Sequence, residues 1–196
     1  MKRLFDLVTS GIGLLVLSPL FLLLAVWVKL DSPGPVFYRQ TRVGRGNRDF
    51  RLIKFRSMRV GSERKGLITI GDRDPRVTRS GYFIRKYKLD ELPQLINVFV
   101  GDMSLVGPRP EVREYVDLYT PEQLHVLDVR PGITDPASIR YRNENELLAE
   151  SDDPERYYRD VVMQDKLRIN LDYVANHSFV YDVSLIFKTL WRVVTG

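Results

Sequence analysis

The sequence predicts an α+β protein, mainly helical, in which a small domain is attached to an N-terminal membrane hairpin. Leu7–Val28 is a run of 22 residues without a charge, long enough to reach across a bilayer as a helix. The rest of the chain has two short alternating segments between longer stretches with helical spacing. A length of 196 residues gives room for one ordinary domain and an additional segment. We therefore divide the chain into an anchor, residues 1–30, and a domain, residues 31–196.

Charge is distributed unevenly along the chain. The net charge is +5, but residues 29–88 hold 17 Lys and Arg against 5 Asp and Glu, whereas residues 89–196 hold 11 against 19. The basic half has to face an anionic partner: lipid headgroups, a phosphorylated substrate or nucleic acid. The absence of cysteine excludes disulfides and thiolate metal sites, and only two histidines make a zinc site or a Ser-His triad a poor interpretation.

The uncharged run is interrupted in its middle by Ser18-Pro19. Proline there removes a backbone hydrogen bond and clashes with the preceding turn, so a break is expected. Basic residues flank the run on both sides, which assigns both flanks to the cytoplasm. A re-entrant hairpin satisfies both flanks, whereas a kinked spanning helix satisfies only one, so we favour the hairpin. The run is too long for a signal peptide and lacks a cleavage site.

A linker at Asp31–Pro35 precedes a predicted β-hairpin. Residues 36–43 and 50–56 alternate as two short strands, and Gly44–Asn47 would connect them. The basic side chains of this hairpin either lie on lipid headgroups or form a solvated face. Residues 59–80 are predicted to form a loop.

Two adjacent carboxylates, Asp90 and Glu91, stand between two predicted helices. The first helix covers residues 81–89 and carries basic side chains toward them. The second begins at the carboxylate pair and has Pro93 in its first turn, followed by an apolar face. The dipole of that helix favours negative charge and keeps Asp90 ionised, which suits nucleophilic attack on phosphorus beside a divalent metal. The alternative is that Asp90 is only an N-cap.

Two stiff turns each present an arginine. The first turn, Gly107-Pro-Arg-Pro110, holds Arg109, whose guanidinium can bind a phosphate through two hydrogen bonds. The second turn, Arg130-Pro-Gly-Ile-Thr134, begins with Arg130. Three further helices are predicted, over residues 111–128 with a capping box at its centre, 152–175 and 179–194. The last helix is amphipathic and either packs on the core or lies in the membrane interface.

Four motifs follow the broken apolar run: Lys54-Phe-Arg-Ser-Met58, Leu89-Asp-Glu-Leu-Pro-Gln-Leu95, Gly101-Asp-Met-Ser-Leu-Val-Gly-Pro-Arg-Pro110 and Val129-Arg-Pro-Gly-Ile-Thr134. In this combination the chain resembles the monotopic phosphoglycosyl transferases, the bacterial sugar transferases that start lipid-linked glycan assembly. The resemblance covers essentially the whole chain. It implies a minimal catalytic unit at the cytoplasmic face of the bacterial inner membrane.

The resemblance also implies a reaction: transfer of a sugar 1-phosphate from a UDP-sugar to polyprenyl (undecaprenyl) phosphate, with UMP leaving, as in exopolysaccharide synthesis. It implies a covalent phosphosugar–aspartate intermediate on Asp90, with Glu91 helping to hold Mg²⁺. The basic residues expected to bind the substrate are Lys54, Arg85, Arg109, Arg130 and Arg142. Membrane lipid and a second copy of the chain, as a homodimer, are the other expected partners.

The chain departs from many relatives after Pro-Gly-Ile-Thr, where it reads Asp135-Pro-Ala-Ser-Ile-Arg-Tyr-Arg-Asn143. This departure bears on the preference for sugar or base and on the role of Arg142, and leaves the carboxylate pair unaffected. Two other functions stay open: a non-catalytic protein that binds anionic lipid, and a membrane pyrophosphohydrolase that uses water. A nucleic-acid partner is not expected, because the chain carries no recognisable reader motif.

Overall fold

The computed structural model describes residues 1–62 and 74–195, which form helices and two small sheets. This confirms the predicted α+β class, mainly helical. The helices are α1 (Lys2–Val16), α2 (Ser18–Asp31), α3 (Arg79–Lys86), α4 (Gln94–Val100), α5 (Arg113–Val116), α6 (Pro136–Arg140), α7 (Glu144–Ala149), α8 (Pro154–Tyr157), α9 (Met163–Asn176) and α10 (Phe179–Thr195). The strands are β1 (Phe37–Val43), β2 (Asp49–Phe55), β3 (Ser104–Val106) and β4 (Gly132–Thr134).

The N-terminal helices α1 and α2 meet at Leu17 with a bend of 62°. Pro19 lies in the first turn of α2, where its missing N–H has no helical partner, and the Ser18 hydroxyl donates to the carbonyl of Leu15 at 2.7 Å. The predicted break is confirmed. In the described part of the chain, neither helix alone has the length and apolar composition to cross a membrane, although the bent pair meets both criteria together. The re-entrant hairpin stays a prediction.

The bent pair packs directly on the elements around the carboxylate pair. α2 buries Leu24 and Val28 against Phe55 of β2 and Ile84 of α3. α1 packs on α4, and the buried carboxylate of Asp6 accepts hydrogen bonds from the Ser104 hydroxyl at 2.8 Å and the Leu105 N–H at 3.1 Å. α2 therefore shares a hydrophobic cluster with β2 and α3, and α1 is hydrogen-bonded to β3.

The predicted β-hairpin is confirmed. β1 and β2 are antiparallel, with Phe37 opposite Phe55 and Val43 opposite Asp49. The connection turns at Gly46 and Asn47, which have φ angles of 66° and 60°, a conformation that glycine and asparagine tolerate best. Of the loop predicted for residues 59–80, residues 63–73 lie outside the described part of the chain. The described end of that loop leads into α3, which begins two residues earlier than predicted.

The second sheet was not predicted, because each of its strands has only three residues. β3 and β4 run parallel, with Ser104 opposite Gly132 and Val106 opposite Thr134. The backbones approach so closely at one end that a Cβ on Gly132 would lie 2.1 Å from the amide nitrogen of Gly107. Since parallel strands end at the same edge of a sheet, the Gly-Pro-Arg-Pro turn and Asp135 both leave from this edge.

The continuous helix predicted for residues 111–128 is wrong. The chain forms the short α5 and then a 3₁₀ segment, Gln123–Asp128. Pro121 explains the interruption, because it lacks an N–H and disfavours a helical conformation of the residue before it. The capping box itself is present: the Gln123 N–H bonds to the Thr120 hydroxyl at 3.3 Å, and the Thr120 N–H bonds to the Gln123 side chain at 3.0 Å.

The two C-terminal helical predictions are confirmed. Residues 154–176 form α8, a π-helical turn at Tyr158–Val162, and α9. α10 packs on the core through the buried Leu185, which contacts the cluster of Val106 and Tyr173. Its outer side leaves Trp191 70% exposed. The helix therefore packs on the core and also presents large apolar side chains outward.

Candidate active site

The carboxylate pair lies in a 3₁₀ turn, Leu89–Glu91, one step ahead of α4. This corrects the expectation that the pair occupies the first turn of that helix. Pro93 is the N-cap of α4, and because it has no N–H, a regular helical bond to the Leu89 carbonyl cannot form. Lys88 precedes the turn in a left-handed conformation, with φ of 56°, which redirects the chain from α3 toward the pair.

Glu91 is held by two cations. Lys54 Nζ lies 3.0 Å from Glu91 Oε1, and Arg109 binds the same carboxylate with both ends of its guanidinium, at 3.1 Å from Nη1 to Oε2 and with a second, shorter contact from Nη2 to Oε1. This two-point geometry is the strong form of an arginine–carboxylate pair. Both oxygens of Glu91 are therefore engaged.

Asn97 fixes the strand that carries Lys54. Its side-chain oxygen accepts the Ile53 N–H at 3.0 Å, and its side-chain nitrogen donates to the Arg51 carbonyl at 2.8 Å. Asn97 is 1% exposed and sits on α4. The helix that follows the pair is thus bonded to the strand that supplies its lysine.

The turn that carries Arg109 is pinned on both sides. The Gly107 N–H donates to the Thr134 carbonyl at 3.0 Å, and the Gly132 N–H donates to the Pro108 carbonyl at 3.1 Å. Beyond Arg109, the carbonyl of Pro110 accepts a hydrogen bond from Arg42 at 3.1 Å. The backbone of the turn is fixed, so the Arg109 side chain is aimed at Glu91.

Asp90 differs from Glu91 in having no assigned partner. Asp90 is only 7% exposed. Within residues 1–62 and 74–195, its carboxylate takes part in no hydrogen bond or ion pair. Burial and the adjacent charge of Glu91 raise the pKa of Asp90, against the opposing effect of Lys54 and Arg85. The shift is opposite in direction to the one expected from a helix dipole.

The pKa of Glu91 is shifted in the opposite direction from that of Asp90. Burial alone would raise the pKa of Glu91, but Arg109 and Lys54 outweigh it and hold that pKa well below its usual range. The charged form of Glu91 is thus stabilised and its side chain is fixed, while the carboxylate of Asp90 is buried and has no partner in the described residues. Two carboxylates with divergent environments are the arrangement from which different catalytic roles arise.

The remaining predicted arginines lie in different places. Arg85, on α3, is close enough for its charge to act on Asp90. Arg130 donates to the Gly101 carbonyl at 2.9 Å, at the end of α4, and Arg142 donates to the backbone carbonyl of Arg192 in α10. The structure brings Lys54 and Arg109 together with the pair. Substrate contacts by all five predicted basic residues stay predictions.

Sequence reasoning missed Asn97 and Arg42, which support the site without belonging to a recognised motif. Asn97 had a usable signal, since it is a polar residue within the apolar stretch of α4. Arg42 had none, because its partner Glu111, at 3.2 Å, lies far along the chain.

Comparison with known proteins gives the family. The model for bacterial sugar transferases matches residues 1–196. A UDP-N-acetylgalactosamine-undecaprenyl-phosphate N-acetylgalactosaminephosphotransferase from Aeromonas hydrophila is 43% identical over 198 residues, covering 100% of this chain and 44% of the relative. A UDP-glucose:undecaprenyl-phosphate glucose-1-phosphate transferase from Escherichia coli (strain K12) is 38% identical over 198 residues, which cover 98% of this chain and 40% of the relative.

This chain spans less than half the length of those two relatives. It also matches the exopolysaccharide production protein PSS of Rhizobium leguminosarum bv. phaseoli, with 39% identity over 202 residues, 100% of this chain and 96% of the relative. The predicted resemblance is confirmed, and the chain belongs to the bacterial sugar transferase family.

Proposed function

We propose that this protein is a phosphoglycosyl transferase that moves a sugar 1-phosphate from a UDP-sugar to undecaprenyl phosphate and releases UMP. The observation that carries the proposal is the uncommitted, desolvated carboxylate of Asp90 beside a Glu91 that two cations hold in place. The names of the two relatives, which include a UDP-sugar and undecaprenyl phosphate, support the choice of donor and acceptor.

In the first half-reaction, an Asp90 oxygen attacks the sugar-bearing phosphorus of the donor. The bond between that phosphorus and the bridging oxygen breaks, and UMP leaves with the electron pair. An acyl phosphate joins Asp90 to the sugar phosphate. Attack of a carboxylate on a diphosphate brings like charges together, so Arg109, Lys54 and Arg85 serve to neutralise phosphate charge and to align the donor.

In the second half-reaction, an ionised oxygen of undecaprenyl phosphate attacks the same phosphorus. The acyl phosphate bond breaks and Asp90 leaves as a carboxylate, ready for another donor. The product is a lipid-linked sugar diphosphate. The same residues stabilise both steps, because the reacting phosphorus occupies the same position in each.

We further propose that the site binds Mg²⁺ through Glu91. Within the described residues, no cluster of three or more His, Asp or Glu side chains could hold a metal. Magnesium in phosphoryl-transfer sites is commonly bound by one or two carboxylates together with substrate phosphates, and Glu91 would hold the ion in that manner by releasing one of its present partners. A bound Mg²⁺ would supply charge neutralisation at the diphosphate.

We place the protein on the cytoplasmic face of the bacterial inner membrane, with residues 1–30 as a re-entrant anchor and residues 31–196 as the catalytic domain. The support is the 62° bend between α1 and α2 together with basic residues on both flanks of the apolar run. This topology keeps Asp90 on the side where UDP-sugars are found and near the headgroup level where the acceptor phosphate lies.

The test is UMP release by the purified protein in lipid nanodiscs, with a panel of UDP-sugars and Mg²⁺. We expect sustained, multiple-turnover release to require both a donor and undecaprenyl phosphate, with at most one UMP released per protein molecule when the acceptor is left out, and all release to be abolished in Asp90→Asn. Asp152→Asn, which removes an exposed carboxylate, is the matched control and should retain activity. Equal release without the lipid acceptor would contradict the proposal and favour a pyrophosphohydrolase.

A further inference from the structure

A buried arginine that has no role in the proposed reaction binds the C-terminal end of α2, where the chain leaves the helix. Arg56 is 3% exposed. Its guanidinium donates to the carbonyls of Ser32 at 2.7 Å and Val28 at 3.2 Å, and also to the carbonyl of Pro33. Three carbonyls at the end of one helix thus converge on a single side chain, where a cation is favourable.

A second contact holds the same helix end from the other side. The carboxylate of Asp31, the last residue of α2, accepts hydrogen bonds from the Ser80 N–H at 3.0 Å and the Ser80 hydroxyl at 2.9 Å. Ser80 is fully buried in the first turn of α3. The guanidinium of Arg56 and the carboxylate of Asp31 together form what we call the exit clamp.

The chain after the helix is shaped to fit the exit clamp. Gly34 has φ of 129°, and a Cβ at this position would lie 2.1 Å from Arg56 Nη1. The backbone N–H of Arg56 also donates to the Val36 carbonyl at 2.9 Å. The turn between α2 and β1 is therefore folded around the guanidinium.

The exit clamp connects α2 to the reacting carboxylate by two short routes. Arg56 comes directly after the end of β2, two residues beyond Lys54, and Lys54 bonds to Glu91. Ser80 opens α3, which leads directly into the turn of Asp90. Leu89 in that turn packs against the same core cluster as α2.

We propose that Arg56, assisted by Asp31, is a positioning residue that fixes the depth of Asp90 relative to the membrane segment, and that it acts on transfer to the lipid acceptor. This inference rests on the proposed function. The donor is water-soluble and can approach Asp90 at any depth. The acceptor phosphate is tethered at headgroup level by its tail, so it reaches the phosphorus only when the depth is correct.

The proposal separates the two half-reactions. Arg56→Gln should form the covalent adduct from the UDP-sugar at the wild-type rate, within about twofold. Transfer of the sugar phosphate from that adduct to undecaprenyl phosphate in nanodiscs, here called discharge, should slow by tenfold or more. A displacement of about 1 Å at a reacting centre can lower the reaction rate on the order of a hundredfold. Arg156→Gln, which removes an exposed arginine on α8, is the matched control and should change neither step.

Normal adduct formation in Arg56→Gln also reports that the site is folded. Should that variant not fold, Asp31→Asn leaves Arg56 in place, and the same selective loss of discharge is expected. Equal slowing of both steps, or no change in discharge, would overturn the proposal.

A depth measurement tests the inference without activity. The chain has no cysteine, so a nitroxide at Tyr82→Cys, an exposed position on α3, reports depth by power saturation in nanodiscs. We expect Arg56→Gln to shift that depth, and an unchanged depth would overturn the proposal. A wild-type protein that forms no adduct would count against the proposed function instead, while the depth reading would stand.

Discussion

Replacing Asp90 with asparagine should abolish activity and at the same time stabilise the fold. Asp90 is buried, has no partner in the described residues, and adjoins the fixed charge of Glu91. Two unit charges about 6 Å apart repel by roughly 3 kcal/mol at an effective dielectric constant of 20. Because Lys54 and Arg85 offset part of this repulsion, we expect a net gain of about 1 kcal/mol, or roughly 2–4 °C in Tm for a chain of this size.

The gain should depend on pH in a defined direction. The pKa of Asp90 is raised in the folded protein, so the wild type loses stability as pH rises from the unfolded pKa through the folded one. Asp90→Asn lacks this loss. Its advantage should grow as the pH rises through the folded pKa of Asp90 and should disappear in acid.

Thermal unfolding of both proteins from pH 4 to pH 8 measures this difference, with Asp152→Asn as the exposed control. A Tm of Asp90→Asn below that of the wild type at neutral pH would refute the reasoning. It would mean that the carboxylate has a stabilising partner and serves as a structural cap.

Three other changes have defined consequences. Arg109→Gln should lower kcat/KM for UMP release by about a hundredfold or more, because it removes the fixed charge beside the reacting phosphate, and a loss below tenfold would contradict its role. Asn97→Ala should lower the free energy of unfolding by about 1–2 kcal/mol, measured by denaturant titration, because it removes the side-chain partners of the Ile53 N–H and the Arg51 carbonyl, two part-buried hydrogen bonds; an unchanged midpoint would contradict this. Gly132→Ala should prevent stable folding, seen as loss of a cooperative thermal transition, because its Cβ would collide with Gly107, whereas a wild-type transition would show that the two strands can separate.

Motifs and periodicity were sufficient for the features that depend on local sequence. The break at Ser18-Pro19, the β-hairpin, the capping box and α10 each follow from a few neighbouring residues. The motifs also singled out Lys54, Arg109 and Glu91, and the structure brings these three side chains into contact; their roles toward a substrate stay predictions.

Features that depend on distant parts of the chain could not be predicted. The parallel pair β3–β4 is held by the close approach of Gly107 and Gly132, and the Asp6 carboxylate bonds to a strand about a hundred residues away. The sequence argument for Asp90 considered only a helix dipole, which favours the charged carboxylate, whereas the burial beside Glu91 that raises the pKa of Asp90 requires the fold.

The central claim is that Asp90 becomes covalently bonded to the sugar phosphate. Its most direct test is the intact mass of the purified protein after mixing with Mg²⁺ and single UDP-sugars, without a lipid acceptor, followed by peptide mapping of any adduct. We expect a mass gain of one phosphosugar on the peptide containing Asp90, absent from Asp90→Asn and removed by adding undecaprenyl phosphate. UMP release in the presence of the acceptor, with an unmodified protein at every donor and time point, would contradict the covalent account.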